Sequence, residues 1–246
     1  MQRIAIFAAL QWECRAVVHQ LRQVERGRRG DFVCWRGRAA QREVWVVKTG
    51  VGVLRAAAAA TAVGDPRAFE LLMSTGCAGG LAPELQPGDL AVATLLIGDG
   101  THRPLPTDAA QRARAREVAA ASDVRGMEGP ILCSATALMT ASEKRKAAAD
   151  GAIAVEMEGG PIAARAAGAG VPFLSVRAVL DTADADLPIP AALIDGASGG
   201  VRPLALAAHL VAHPGDSTEL MALRRMQSAA RESLERFFGR WLAAPV

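Results

Sequence analysis

Short apolar runs alternate with stretches of small, helix-forming residues, and that alternation limits the chain to few architectures. Ile4 to Ala9, Val44 to Thr49, Leu71 to Thr75, Asp89 to Ile97, Ala152 to Met157 and Val171 to Leu180 read as buried strands, with Phe32 to Arg36 a shorter one. Ala56 to Val63, Ser142 to Ala149 and Gly160 to Ala169 read as helices, the second with its Glu and Lys outward and the third with Pro161 in its first turn. Such alternation predicts one α/β domain with helices on both faces of a sheet. A chain of 246 residues with 51% hydrophobic residues is long enough to bury that core. No repeat or linker divides it, so residues 1–246 read as a single domain.

The tail has a different character. Leu204 to Val211 and Thr218 to Phe238 read as helices separated by His213-Pro214-Gly215. In the second, Leu220, Leu223, Met226, Ala230, Leu234 and Phe237 recur at helical spacing, with Arg and Glu opposite. That face fits packing on the parent sheet or a neighbouring subunit; the sharper alternative is peripheral contact with a lipid surface.

Composition removes several classes of function. Net charge is only +3 and Tyr is absent, so no basic face interleaved with aromatics offers a nucleic-acid surface. Arg26 to Arg29 reads as a solvated hairpin loop. No apolar run reaches the roughly 18 residues of a membrane span. Glu13 follows the first apolar run with no cleavage signal between them, so the start reads as a buried strand and the location as cytoplasmic. Cys14, Cys34, Cys77 and Cys133 are far apart and lack ligand-spaced histidines, so neither a metal site nor a metal cofactor is expected.

Three segments at strand ends carry the chemistry. Ala8-Ala9-Leu10-Gln11-Trp12-Glu13 places Glu13 beyond the first strand. Ser74 to Leu81 (STGCAGGL) is glycine-rich but fits neither a dinucleotide fingerprint nor a triphosphate loop. Its small residues permit close approach to a ligand, or simply a tight turn. Val155-Glu156-Met157-Glu158 sets two carboxylates two residues apart, on one side if the strand continues. Asp181 ends the next strand, four residues after Arg177. Burying these charges demands partners. Glu156 reads equally as a structural carboxylate paired with a basic group; Glu158 and Asp181 together read as functional.

IAIFAALQWE, VVKTGVG, STGCAGGLAPELQPGDL, AIAVEMEGGPIA and VPFLSVRAVLD resemble, in order, the motifs of the nucleoside phosphorylase and nucleosidase superfamily, notably the methylthioadenosine/S-adenosylhomocysteine nucleosidases. The resemblance covers residue 1 to about 184 and implies a mixed central β-sheet flanked by helices, an adenine nucleoside as substrate, and a homo-oligomer. It also implies roles: Asp181 donates a proton to purine N7, Glu158 holds ribose hydroxyls, Met157 packs on the sugar, and Glu13 activates water. Cys77, Ala78, Gly79, Leu138, Val155 and Glu156 would line the pocket.

The departures are informative. The superfamily's phosphorylases place a glycine and an arginine after the first strand and a second arginine before the glycine-rich segment. Here those places hold Leu10 to Glu13 and Ser74, which favours water over phosphate as the acceptor, unless Arg15, Lys48 or Arg55 compensates. Phosphate thus stays open as a co-substrate, and no other cofactor is implied. Cys77 replaces the nucleosidases' usual Ser, and Ala137 their stacking Phe; the segment from Thr94 to Pro106 is short and lacks aromatics. The divergent helical portion, 185–246, with its Pro-rich link and Arg-bearing helices, resembles the hopanoid-associated phosphorylase group, which implies adenosylhopane, a lipid-linked nucleoside. The expectations are therefore cleavage of adenosylhopane, or an ordinary methylthioadenosine/S-adenosylhomocysteine nucleosidase, or, from Cys77 and Ala137, a nucleoside-binding protein without catalysis.

Overall fold

The computed structural model describes residues 2–98, 103–187 and 217–243. β1 (Gln2–Ala8) lies between two parallel neighbours, β4 (Arg42–Lys48) and β5 (Leu71–Gly80). A strand covered on both faces must be apolar throughout, which explains its near-continuous hydrophobic run. Its Ile4, Ile6 and Ala8 enter one core and its Ala5 and Phe7 the other. α1 (Gln11–Val18), α3 (Ala109–Ala121) and α6 (Ser217–Ala243) pack on the first face; α2 (Val53–Ala62) and α5 (Gly159–Ala169) cover the second.

Outward from β4, β3 (Phe32–Ala39) and the edge strand β2 (Arg22–Arg29) form an antiparallel wing. On the other side the strands close a ring. β5 pairs with β10 (Phe173–Asp181), β10 with β6 (Leu90–Gly98), β6 with β8 (Gly126–Cys133), β8 with β9 (Ala154–Glu156), and β9 returns to β5. The short β7 (Leu105–Pro106) flanks β6. The sheet is mixed, as expected, because β10–β6, β9–β5, β6–β7 and the wing are antiparallel within an otherwise parallel arrangement.

Several expectations need correction. Arg26 to Arg29 is not a loop but part of β2, every residue of which is exposed. The glycine-rich segment after Thr75 is not a turn: β5 continues through it to Gly80, held on both sides by β9 and β10. β9 stops at Glu156, so Met157 and Glu158 lie outside it, and Glu158 is the residue immediately before α5, with no capping bond from its side chain. The outward lysine of the Ser142–Ala149 helix fails for Lys144, which is fully buried in α4 (Ala141–Ala147). α1, β2, β7, α3 and β8 have no counterpart in the sequence reading.

The amphipathic tail helix turns inward. Ala230, Leu234, Phe237, Phe238, Trp241 and Leu242 are buried in the first core, where each large side chain contributes about 1.5–3 kcal/mol. Packing on the parent sheet therefore occupies this part of its apolar face. No described helix is long and apolar enough to cross a membrane. The helix expected over 204–211, the Pro-rich link beyond Leu187 and residues 99–102 of the 94–106 segment lie outside the described residues.

Candidate active site

The carboxyl ends of β1, β5, β9 and β10 converge on one cavity of about 160 Å³. Glu13, Cys77, Ala78, Gly79, Leu138, Val155, Glu156, Met157, Glu158 and Asp181 all line it, so the structure brings together every site residue singled out from the sequence. Ala9, Leu10, Val51, Thr136, Ala137, Leu180 and Leu187 also line it, and among the described residues the wall contains neither an aromatic nor a cationic side chain.

Glu13 is the third residue of α1, and its carboxylate turns back to the helix start. Oε2 accepts from the Leu10 N–H at 2.8 Å, and Oε1 accepts from the Cys77 N–H at 2.8 Å. The first bond is half of a capping box; Leu10, having no polar side chain, supplies no reciprocal half. Gly76 makes room for this arrangement. Its φ is +141°, and a Cβ there would lie 2.7 Å from Glu13 Oε1 and 2.9 Å from Arg177 Nη1. The glycine is thus required by both space and backbone conformation. Burial pushes the Glu13 carboxyl above its usual range, against the lowering influence of its two backbone donors and Arg177.

Arg177 organises the neighbouring carboxylates. Its Nη2 donates to Glu156 Oε2 and, at 2.6 Å, to Ser74 Oγ. Its Nη1 donates to the Thr75 carbonyl at 3.1 Å and reaches Glu158 Oε2 at 3.5 Å. Glu156 Oε2 also accepts from the N–H groups of Glu158 and Gly159 at 2.9 and 2.7 Å, bracing the first turn of α5. Glu156 is therefore both a wall residue and a structural carboxylate paired with a basic group. Glu158 Oε1 accepts from the Gly52 N–H at 2.9 Å. Burial pushes the Glu158 carboxyl up to about 7; Arg177 opposes the shift, while Glu156 and Glu13 add to it. Burial also pushes the Cys77 thiol well up, and nearby Glu13 reinforces that, so this cysteine stays a neutral wall residue.

Asp181 faces the same cavity from the end of β10 but has a different partner. Lys144 Nζ donates to Asp181 Oδ2, and to the carbonyls of Thr182 and Ala185 at 2.8 and 2.7 Å. Burial raises the Asp181 carboxyl above its ordinary value, and Lys144 pulls it back. The sequence offered Arg177 as the nearest cation to Asp181. A register irregularity between Val179 and Asp181 separates their surroundings.

Sequence reasoning passed over Lys144, Gly52 and the individual role of Gly76. Lys144 sits in a polar helical segment and Gly52 in an ordinary Gly-Val-Gly break, so neither carries a local signal; Gly76 stood out only as one of a run. None of Arg15, Lys48 and Arg55 lines the cavity. Arg15 lies instead in a surface pocket with His19 and Arg26, and Arg55 donates to the Thr49 carbonyl. Among the described residues, no group of three His, Cys, Asp or Glu side chains is arranged to hold a metal ion.

Comparison with known proteins gives a consistent result. The family model for the phosphorylase superfamily matches residues 3–197. A 5'-methylthioadenosine/S-adenosylhomocysteine nucleosidase of Shewanella halifaxensis is 28% identical over 178 residues, covering 65% of this chain and 76% of the relative. The crystal structure of the nucleosidase of that name from Neisseria meningitidis, in complex with methylthio-immucillin-A, superposes with a TM-score of 0.76 at 18% identity over 99% of each chain. The native structure of futalosine hydrolase from Helicobacter pylori strain 26695 also gives 0.76, at 19% identity over 98% of this chain and 97% of its own.

Proposed function

The chain belongs to the phosphorylase superfamily, and from that premise we propose that it cleaves the N-glycosidic bond of an adenine nucleoside, with a lipid-linked nucleoside of the adenosylhopane type as substrate and water as acceptor. The observation that carries this reading is the convergence of Glu13, Glu158 and Asp181 on one cavity.

Breaking the bond between sugar and base builds positive charge on the ribose and negative charge on the purine. Asp181 supplies a proton to N7, so the bonding electron pair leaves with a neutral base. Glu158 accepts hydrogen bonds from ribose hydroxyls, and its negative charge favours the cationic sugar. Met157, on the cavity wall, packs against the ribose. Glu13 takes the proton of the water that attacks the anomeric carbon. The burial that raises its carboxyl makes it a better base near neutral pH.

Water is favoured over phosphate because, among the described residues, the cavity wall presents no cation, and the buried Arg177 nearby is committed to Glu156 and Ser74. The aliphatic wall of Leu10, Val51, Ala137, Leu138, Leu180 and Leu187 favours a hydrocarbon group on the ribose over one that needs stacking. The same wall also suits a small thioether, and the Shewanella relative bears the name of a methylthioadenosine/S-adenosylhomocysteine nucleosidase, which makes that the second reading.

Adenine release from adenosylhopane and from methylthioadenosine, each with and without phosphate, tests both. Release from adenosylhopane without phosphate is expected. Brisk turnover of methylthioadenosine with none of adenosylhopane would transfer the function to the second reading, and strict dependence on phosphate would defeat the water mechanism. Binding of adenine with no turnover of either substrate would leave a nucleoside-binding protein.

A further inference from the structure

Lys144 is 0% exposed, and its ammonium group has three acceptors for its three N–H bonds: Asp181 Oδ2 and the Thr182 and Ala185 carbonyls. A buried ammonium is tolerated only with such complete pairing. Its position is fixed by the start of α4. There Thr140 Oγ1 accepts from the Glu143 N–H at 3.2 Å, and Glu143 Oε2 accepts from the Thr140 N–H at 2.9 Å. The stretch after Asp181 folds back onto that same helix start, where Asp186 Oδ1 accepts from the Ala141 N–H at 2.7 Å.

The other charged groups nearby are engaged elsewhere. Glu143 is spent on the helix cap, Asp186 on Ala141, and Asp184 accepts from the Thr182 hydroxyl at 2.6 Å while feeling Lys144 only through space. Arg145 and Lys146, on the same helix, make none of the contacts at Asp181. Asp181 is therefore the single carboxylate bonded to this lysine among the described residues.

We propose that Lys144 is a positioning residue for Asp181: its ammonium pins Oδ2, leaves Oδ1 for the departing base, and faces the negative charge that forms as Asp181 releases its proton. The inference rests on the nucleosidase reading above. In the step, the O–H bond of the Asp181 carboxyl breaks and an N7–H bond forms, while the electrons of the glycosidic bond move onto the purine. Asp181 becomes a carboxylate already matched by a cation, so a stronger acid results at no new cost of desolvation. Asp181 regains its proton from solvent, and the proton taken from water by Glu13 returns there, so the hydrolysis is balanced.

The test uses Lys144→Met in the full chain, with an adenine nucleoside and with 4-nitrophenyl β-D-riboside, whose leaving group needs no proton. The expected result is a loss in kcat of about tenfold or more on the adenine nucleoside with KM nearly unchanged. The alkaline limb of its pH profile should move to higher pH, because an unpaired Asp181 holds its proton longer. Turnover of the nitrophenyl riboside should stay within about twofold. An unchanged kcat and pH profile on the nucleoside would overturn the proposal, and so would an equal loss on both substrates, the mark of a packing role. If Lys144→Met does not fold, Lys144→Gln is read by the same two assays. Wild-type protein that releases no adenine would defeat the nucleosidase reading itself, an outcome seen before any variant is made.

Discussion

Arg177 and Lys144 are both sealed from solvent, yet they keep different company. The guanidinium of Arg177 contacts Glu156 and Glu158 and approaches Glu13 across Gly76, so one positive charge serves three carboxylates. The ammonium of Lys144 serves Asp181 alone, with two carbonyls completing its shell. One end of the cavity is thus in negative excess and the other is balanced. Burial is the main reason that Glu158 is pushed up to about 7, and the excess, through Glu156 and Glu13, adds to it. The lesson is that burial raises the carboxyls at both ends, and competitors for a shared counter-charge add to that shift only at the Glu158 end. An end in negative excess suits a developing cation, and a balanced end suits a group that must give up a proton.

The largest expected effects break the two ends separately. Asp181→Asn removes the acid at the balanced end, and Glu13→Gln removes a base at the other; each should lower the rate of adenine release by about 10²–10⁴-fold. A steady-state assay that finds either variant within a few-fold of wild type would remove that residue from the mechanism. Next in size, Arg177→Met strands three carboxylates and should cost about 3–5 kcal/mol of stability, read from denaturant midpoints. Lys144→Met strands one and should cost less. Equal losses would erase the contrast between the two cations.

The smallest effect sharpens it. The Glu158 carboxyl titrates at about 7 in the folded protein and at an ordinary value of 4.5 when unperturbed. Between those values the native state holds a proton that the unfolded chain has released. Stability is therefore highest at the acid side of the window and declines as pH rises from about 4.5 through 7. Glu158→Gln should flatten that decline in a series of unfolding midpoints against pH. A slope unchanged in the variant would mean that another group carries it.

The parts of this arrangement differ in how far the sequence discloses them. β1 and β5 were legible because a central strand covered on both faces must be apolar at nearly every position. β2 was not, because Arg22 to Arg29 is an edge strand exposed along its length, and its charges read as a loop. β8 was hidden by Gly126, Gly129 and Pro130, which break the usual strand pattern. The carboxylates Glu13, Glu158 and Asp181 stood out through their motifs at strand ends. Their counter-charges did not. Arg177 is nearer in sequence to Asp181 than to Glu156, and Lys144 is 37 residues from its partner. The first pairing is created by the strand order that sets β9 and β10 on either side of β5, and the second by the packing of α4 at the end of β10, neither of which a local pattern encodes. The same holds for Glu156 and Glu158, whose shared guanidinium replaces the continuous strand that their spacing suggested.

The closed ring also bears on the order in which the molecule can be completed. During synthesis the wing and β5 emerge first, and Glu13 can meet the Cys77 N–H as soon as both are present. Glu156 and Glu158 follow, still without their guanidinium, which arrives only with β10. Until then the growing chain holds acids that water must continue to solvate. β10 is also the strand that joins β5 to β6. A single late segment therefore both fastens the ring and brings the guanidinium that Glu156 and Glu158 share, so these acids gain their counter-charge only as the backbone around the pocket becomes continuous.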